Sequence, residues 1–138
     1  MKNIGIKIQK ITKSCTDKKC PFHGTLKVRG RILKGTIVGK DVHKSGTLEF
    51  TRRFYVPKYE RYEKRKTRIR VHNPSCIDAQ KGDFVKVGEC RKLSKSKSFV
   101  IIEKLGRDIL FKQKEELLEE SKVKKEEKEE SEEENESR

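Results

Sequence analysis

The run from Gly82 to Ile102 constrains this chain more than any other: Gly-Asp-Phe-Val-Lys-Val-Gly-Glu-Cys-Arg-Lys-Leu-Ser-Lys-Ser-Lys-Ser-Phe-Val-Ile-Ile. It reads as strand, basic loop, strand. Gly82-Asp83 is a turn signal, and apolar Val85, Val87 and Cys90 are set against polar Lys86 and Glu89, the pattern of a half-buried strand. Phe99 to Ile102 is a short continuous apolar run, suited to a strand buried on both faces. Between them lie Arg91, Lys92, Lys95 and Lys97, spaced by serines and without an acid. Such residues build no core, but from a loop held by two stiff strands they can donate hydrogen bonds to phosphate oxygens.

Charge says the same on a larger scale. Residues 1 to 111 hold 29 Lys+Arg against 10 Asp+Glu, a formal +19, while residues 112 to 138 hold 7 against 12, a formal −5. A body so basic repels itself and gains from a polyanion, which makes nucleic acid the natural partner. The surface of a heat-adapted protein would interleave Lys with Glu in ion-pair networks, and three bases per acid do not. No apolar run reaches the eighteen or so residues of a membrane span, and the N-terminus lacks the apolar core of a signal peptide, so a cytosolic protein without membrane partners is expected.

Five strands are expected, at Thr25–Val42, Thr47–Val56, Thr67–His72, Gly82–Cys90 and about Phe99–Ile102. Gly30, Gly35 and Gly39 interrupt the first and predict bends or bulges; Arg52-Arg53 marks an irregularity in the second. Pro57 to Lys66 is a polar connection, and Ser75 to Lys81 a turn or short helical one. The spacing fits an all-β, five-stranded Greek-key barrel, the OB-fold, with a small barrel of another topology as the alternative. Residues 1–24 form an N-terminal arm with a Cys/His loop, 25–105 the barrel, and 106–138 a charged tail. Ile109, Leu110, Leu117 and Leu118 have helical spacing, whereas from about Glu119 onward a disordered stretch or a lone charged helix is expected.

Bases and aromatics interleave at Tyr55, Lys58, Tyr59, Arg61, Tyr62, Lys64, Arg65, Lys66 and Arg68. Lys and Arg neutralise phosphates, while Tyr stacks on a base or sugar and still hydrogen-bonds through its hydroxyl. The competing reading is a hairpin tip whose tyrosines pack on the barrel rim. A second constellation is Cys15, Cys20 and His23, spaced C-x₄-C-x₂-H. Thiolate and imidazole suit zinc, with a fourth ligand to come from Cys76, Cys90 or His72. Three readings stay open: a structural zinc, free or buried thiols, and a Cys15–Cys20 disulfide. His23, His43 and His72 lack an acid or serine partner at motif spacing, and no phosphate-cradling glycine motif appears, so no catalysis and no cofactor are expected.

The run Gly82 to Ser94 resembles the signature of the seventeenth small-subunit ribosomal protein family, and Lys95-Ser96-Lys97-Ser98-Phe99 resembles its archaeal and eukaryotic branch. Cys-Pro-Phe-His-Gly and Pro-Lys-Tyr-Glu-Arg-Tyr-Glu-Lys are archaeal-like. Lys92 stands where the family usually has proline. The resemblance covers roughly residues 1 to 105. It implies an OB-fold and a structural role in the small ribosomal subunit, binding the 5′ domain of its RNA beside neighbouring ribosomal proteins rather than as a homo-oligomer. It also implies RNA contacts at Lys40, His43, Lys44, His72, Asn73, Arg91, Ser94, Lys95 and Lys97. The rival readings are a free OB-fold protein for single-stranded nucleic acid or transfer RNA, and a zinc or thiol enzyme.

Overall fold

In a computed structural model, the structure describes residues 4–6, 8 and 13–121. Five strands appear: β1 (Val28–Asp41), β2 (Ser45–Val56), β3 (Arg61–His72), β4 (Asp83–Cys90) and β5 (Lys97–Arg107). They close into a barrel in the order β1-β2-β3-β5-β4, with β1 pairing back onto β4. All neighbours are antiparallel except β3 and β5. This is the OB-fold, closed so that no long edge stays unpaired.

The long β1 serves both sides of the barrel by bending. Its register shifts between Val28 and Ile32 against β4 and between Ile37 and Gly39 against β2, so the breaks bracket Gly30 and end at Gly39. Gly35 answers a different need: a Cβ there would lie 2.5 Å from the Glu49 carbonyl oxygen. Inside the barrel Ile37, Leu48, Val71, Ala79, Val85, Val87 and Ile101 form one buried cluster.

On β5, Ile101 joins that cluster while Ile102 packs with Cys20, Phe22 and Cys76, and Val100 with Leu26 and Cys90. Both faces of β5 are therefore covered, as its unbroken apolar run predicts. The stretch 13–27 of the N-terminal arm supplies this outer cover through Cys15, Cys20, Phe22 and Leu26. Ile4, Ile6 and Ile8 pack against the same group. Residues 1–3, 7 and 9–12 of the Met1–Lys13 arm lie outside the described residues.

Two expected boundaries move. The β1–β2 loop shrinks to residues 42–44, and the connection from Pro57 becomes a single 3-10 turn, Pro57–Tyr59, because residues from Arg61 on belong to β3. The segment between β3 and β4 is built of turns.

Residues from Asp108 on belong to a second unit, described as far as residue 121. Within it 109–121 are helical, and Asp108 caps the start by accepting the Leu110 and Phe111 N–H groups at 3.1 and 3.4 Å. The acidic stretch expected to be disordered or a lone helix lies largely outside the described residues. No helix among the described residues is long and apolar enough to cross a membrane.

Candidate nucleic-acid interface

β2 and β3 pair through twelve consecutive residues, from Ser45↔His72 to Val56↔Arg61. The inner half, to Phe50↔Thr67, belongs to the barrel; the outer half carries exposed side chains on both strands, with only Val56 and Glu63 half-buried. Arg52 and Arg53 therefore mark no irregularity. Beyond Phe50 the strand has left the core, both faces are wet, and apolar alternation is no longer required. Pro57 starts the closing turn with its fixed φ, and Glu60, at φ 48°, ends it by donating its N–H to the Pro57 carbonyl at 3.3 Å.

Alternation along the strands sorts this hairpin into two faces. On one, Arg53 stands opposite Lys64 and Tyr55 opposite Tyr62, the rings 5.1 Å apart and tilted by 53°. On the other, Arg52 stands opposite Arg65, and Phe54 opposite Glu63. Arg65 lies over the Phe54 ring at 4.0 Å and is also bonded by Glu63. Glu49 takes Arg68 at 2.8 Å and Lys66 at 3.6 Å, and the Arg68 hydrogen bond above all holds its carboxyl below the usual range.

Among the described residues no acid pairs with Arg52, Arg53, Arg61 or Lys64. Like charges placed directly across a ladder destabilise it, so the hairpin carries a cost that the barrel does not require. At the tip, Tyr59 and Tyr62 are 64% and 72% exposed and, with Val56, Arg61 and Glu63, line a shallow concavity of about 440 Å³. Lys58 lies 5.2 Å from the Tyr59 ring. The tyrosines thus stand on a projecting hairpin and not on the barrel rim.

Of the remaining expected contacts, Lys40, His43, Lys44 and Lys97 lie at the other end of this ladder, around the β1–β2 turn, and Arg91, Ser94 and Lys95 lie on the β4–β5 loop. Lys40 binds Asp78 at 2.8 Å and Gln80 at 3.1 Å. Lys44, at φ 50°, lies 3.7 Å from Asp17. Lys97 donates to the Ser45 hydroxyl at 2.7 Å, and that hydroxyl donates to the His43 carbonyl at 3.0 Å. Arg91 and Lys95 are exposed, with no acidic partner among the described residues. The Ser94 hydroxyl accepts the Lys97 N–H at 3.2 Å, and the Leu93 N–H reaches the Lys97 carbonyl at 2.8 Å, which closes the loop despite Lys92. The ion pairs here and at Arg65, Lys66 and Arg68 involve largely exposed bases, so each is weak and open to exchange for phosphate.

Two expected contacts do not reach the surface. His72 is 3% exposed and donates Nε2–H to the Asp17 carboxylate at 3.0 Å. Burial pushes its pKa below the ordinary value against the pull of Asp17, so the ring is neutral near pH 7. Burial would raise Asp17 itself, but the Lys19 N–H, His72 and Lys44 outweigh that and hold it low. Asn73, 4% exposed, donates to the Ala79 carbonyl at 2.9 Å and accepts the Ala79 N–H at 3.1 Å. Both side chains staple loops. Asp17 and the bases Arg52 and Arg53 join this candidate interface although sequence reasoning did not include them; the doubled arginine in a polar strand end was the one available signal.

The Cys/His loop gains its fourth member from the β3–β4 connection. Cys15 Sγ and Cys20 Sγ lie 3.4 and 3.7 Å from His23 Nδ1, Cys20 Sγ lies 3.6 Å from Cys76 Sγ, and all four donor atoms fall within 4.8 Å of one another. All four cysteines are free, so the Cys15–Cys20 disulfide is not formed; Cys90 packs apart with Leu26 and Val100. Burial drives the Cys76 thiol well up, reinforced by Cys20. Burial acts the same way on Cys15, but the Asp17 backbone and the neighbouring thiols outweigh it and bring that thiol down.

Residues 35–103 match the family model of ribosomal protein S17. Three curated relatives bear the name small ribosomal subunit protein uS17. That of Archaeoglobus fulgidus is 48% identical over 108 residues, covering 78% of this chain and 96% of the relative. That of Methanocaldococcus jannaschii is 49% identical over 106 residues, covering 77% and 91%, and that of Methanopyrus kandleri 51% over 106 residues, covering 77% and 90%. The match takes in β1 from Gly35, all of β2 to β4 and most of β5, and with it the projecting hairpin and both basic ends: the chain belongs to the ribosomal protein S17 family.

Proposed function

We propose that this chain is a structural constituent of the small ribosomal subunit that binds the 5′ domain of its RNA directly and stabilises the folded RNA during assembly. It works in the cytoplasmic ribosome beside neighbouring ribosomal proteins. The hairpin supplies Lys58, Arg61, Lys64, Arg65, Lys66 and Arg68 to phosphates, with Arg52 and Arg53 added, while Tyr59 and Tyr62 offer ring faces to a base or sugar. Lys40, His43, Lys44, Arg91, Ser94, Lys95 and Lys97 form a second group. His72 and Asn73 hold this second group in place.

One observation carries the reading: Arg53 and Lys64 face each other across an exposed ladder with no acid to separate them. A polyanion removes that repulsion, and folded RNA presents phosphates on converging backbones. Recognition proceeds by shape and phosphate pattern, since the deep groove of A-form RNA admits no side-chain readout. A single-strand platform would instead set its stacking aromatics on the barrel face.

The test is backbone footprinting of small-subunit RNA with the full chain, in competition with unstructured RNA. Protection confined to the folded 5′ domain and resistant to the competitor is expected. Equal loss to any single strand would overturn the assignment.

A further inference from the structure

We infer that Cys15, Cys20, His23 and Cys76 form a structural zinc site that clips the N-terminal loop onto the β3–β4 connection. Bond lengths of about 2.3 Å to sulfur and 2.0–2.1 Å to nitrogen, set tetrahedrally, require edges of about 3.8 Å between sulfurs and about 3.5 Å between sulfur and nitrogen. The cluster shows 3.6 Å for Cys20–Cys76, and 3.4 and 3.7 Å from the two sulfurs to His23 Nδ1. Packing alone gives no reason to aim three sulfurs and an imidazole nitrogen at one point.

The chemistry selects the metal. Three thiolates and one imidazole are soft and borderline donors that suit zinc, whereas magnesium and calcium take oxygen ligands. With all four positions filled by protein, no place remains for a reacting water, so the site is structural.

Both ligand segments are held in shape by backbone hydrogen bonds of their own. The Cys20 N–H reaches the Asp17 carbonyl at 3.1 Å, the Gly24 N–H the Cys20 carbonyl at 2.9 Å, and the Thr25 N–H the Lys18 carbonyl at 3.2 Å. The loop closes so tightly after His23 that a Cβ on Gly24 would lie 2.4 Å from the Lys18 carbonyl oxygen. Across from it, the Ile77 and Asp78 N–H groups both reach the Pro74 carbonyl at 3.0 Å and fix the turn that bears Cys76. Phe22, Ile77 and Ile102 pack on the buried side of the cluster, at Cys20 and Cys76, while Cys15 and His23 are half-buried. Asp17 sits on the same loop, so a metal here also fixes the carboxylate that holds His72 and Lys44.

The full chain, purified under reducing conditions, is expected to carry one zinc per molecule, and cobalt(II) exchanged for it to give the intense visible absorption of a tetrahedral thiolate complex. Chelator should lower the melting temperature of the parent and of Cys90→Ser alike, while Cys76→Ser holds no metal and ignores chelator. Substoichiometric zinc after refolding with zinc ions, a weak octahedral cobalt spectrum, or a Cys20–Cys76 disulfide seen by mass would each overturn the site. Should Cys76→Ser fail to fold, the cobalt spectrum and chelator response of the parent decide.

Discussion

Replacing Arg53 and Lys64 together by threonine should raise the stability of the free protein while weakening its hold on RNA. The two side chains are directly opposed on an exposed ladder and neither has an acidic partner among the described residues. Relieving one such like-charge pair gains about 0.2–1 kcal/mol, and the strand preference of threonine acts in the same direction. For a domain of this size that is a rise of a few degrees in melting temperature at most. Binding moves the other way. Two lost phosphate contacts make the slope of log affinity against log salt shallower by about 1.8, so across a fourfold rise in salt the variant loses about 12-fold less affinity than the parent. Fluorescence anisotropy with a labelled 5′-domain RNA over a salt series gives the slope, and thermal unfolding without RNA gives the stability. An unchanged slope, or a variant less stable than the parent, would refute the reasoning.

Asn73→Ala strands the buried N–H and carbonyl of Ala79 and should cost about 1–3 kcal/mol, read as a lower urea midpoint at unchanged slope. Acid should destabilise the fold in two successive, coupled steps. His72 resists protonation when folded, so its contribution is intact above its unfolded pKa of roughly 6.5 and is lost as pH falls below that; Asp17, held low, contributes above roughly 3.8 and is lost further down. Urea midpoints from pH 8 to 5 should fall more steeply for the parent than for His72→Gln, and parallel curves would contradict the assignment.

The barrel was legible because alternation and apolar runs report burial directly: Val85 and Val87 face inward, and Val100 to Ile102 are covered on both sides. The hairpin was half legible. Its composition pointed to RNA, but Arg61 to Lys66 read as a loop, because a strand outside the core loses the apolar period that identifies strands. The burial of His72 and Asn73 was hidden for another reason. Residue type shows that a polar group needs a partner and not which one; here the partners, Asp17 and Ala79, are brought up by the fold. The same blindness left the fourth member of the cysteine cluster open among three residues.

The twelve-pair ladder between β2 and β3 joins the turn at Lys44 to the tip at Tyr59 in one unbroken register. At about 3.3 Å per residue it spans roughly 35 Å. Its separation is set during folding, so whatever seizes one end finds the other already at a defined distance. The hairpin is a ruler, and the entropy of fixing that length is spent before any partner arrives.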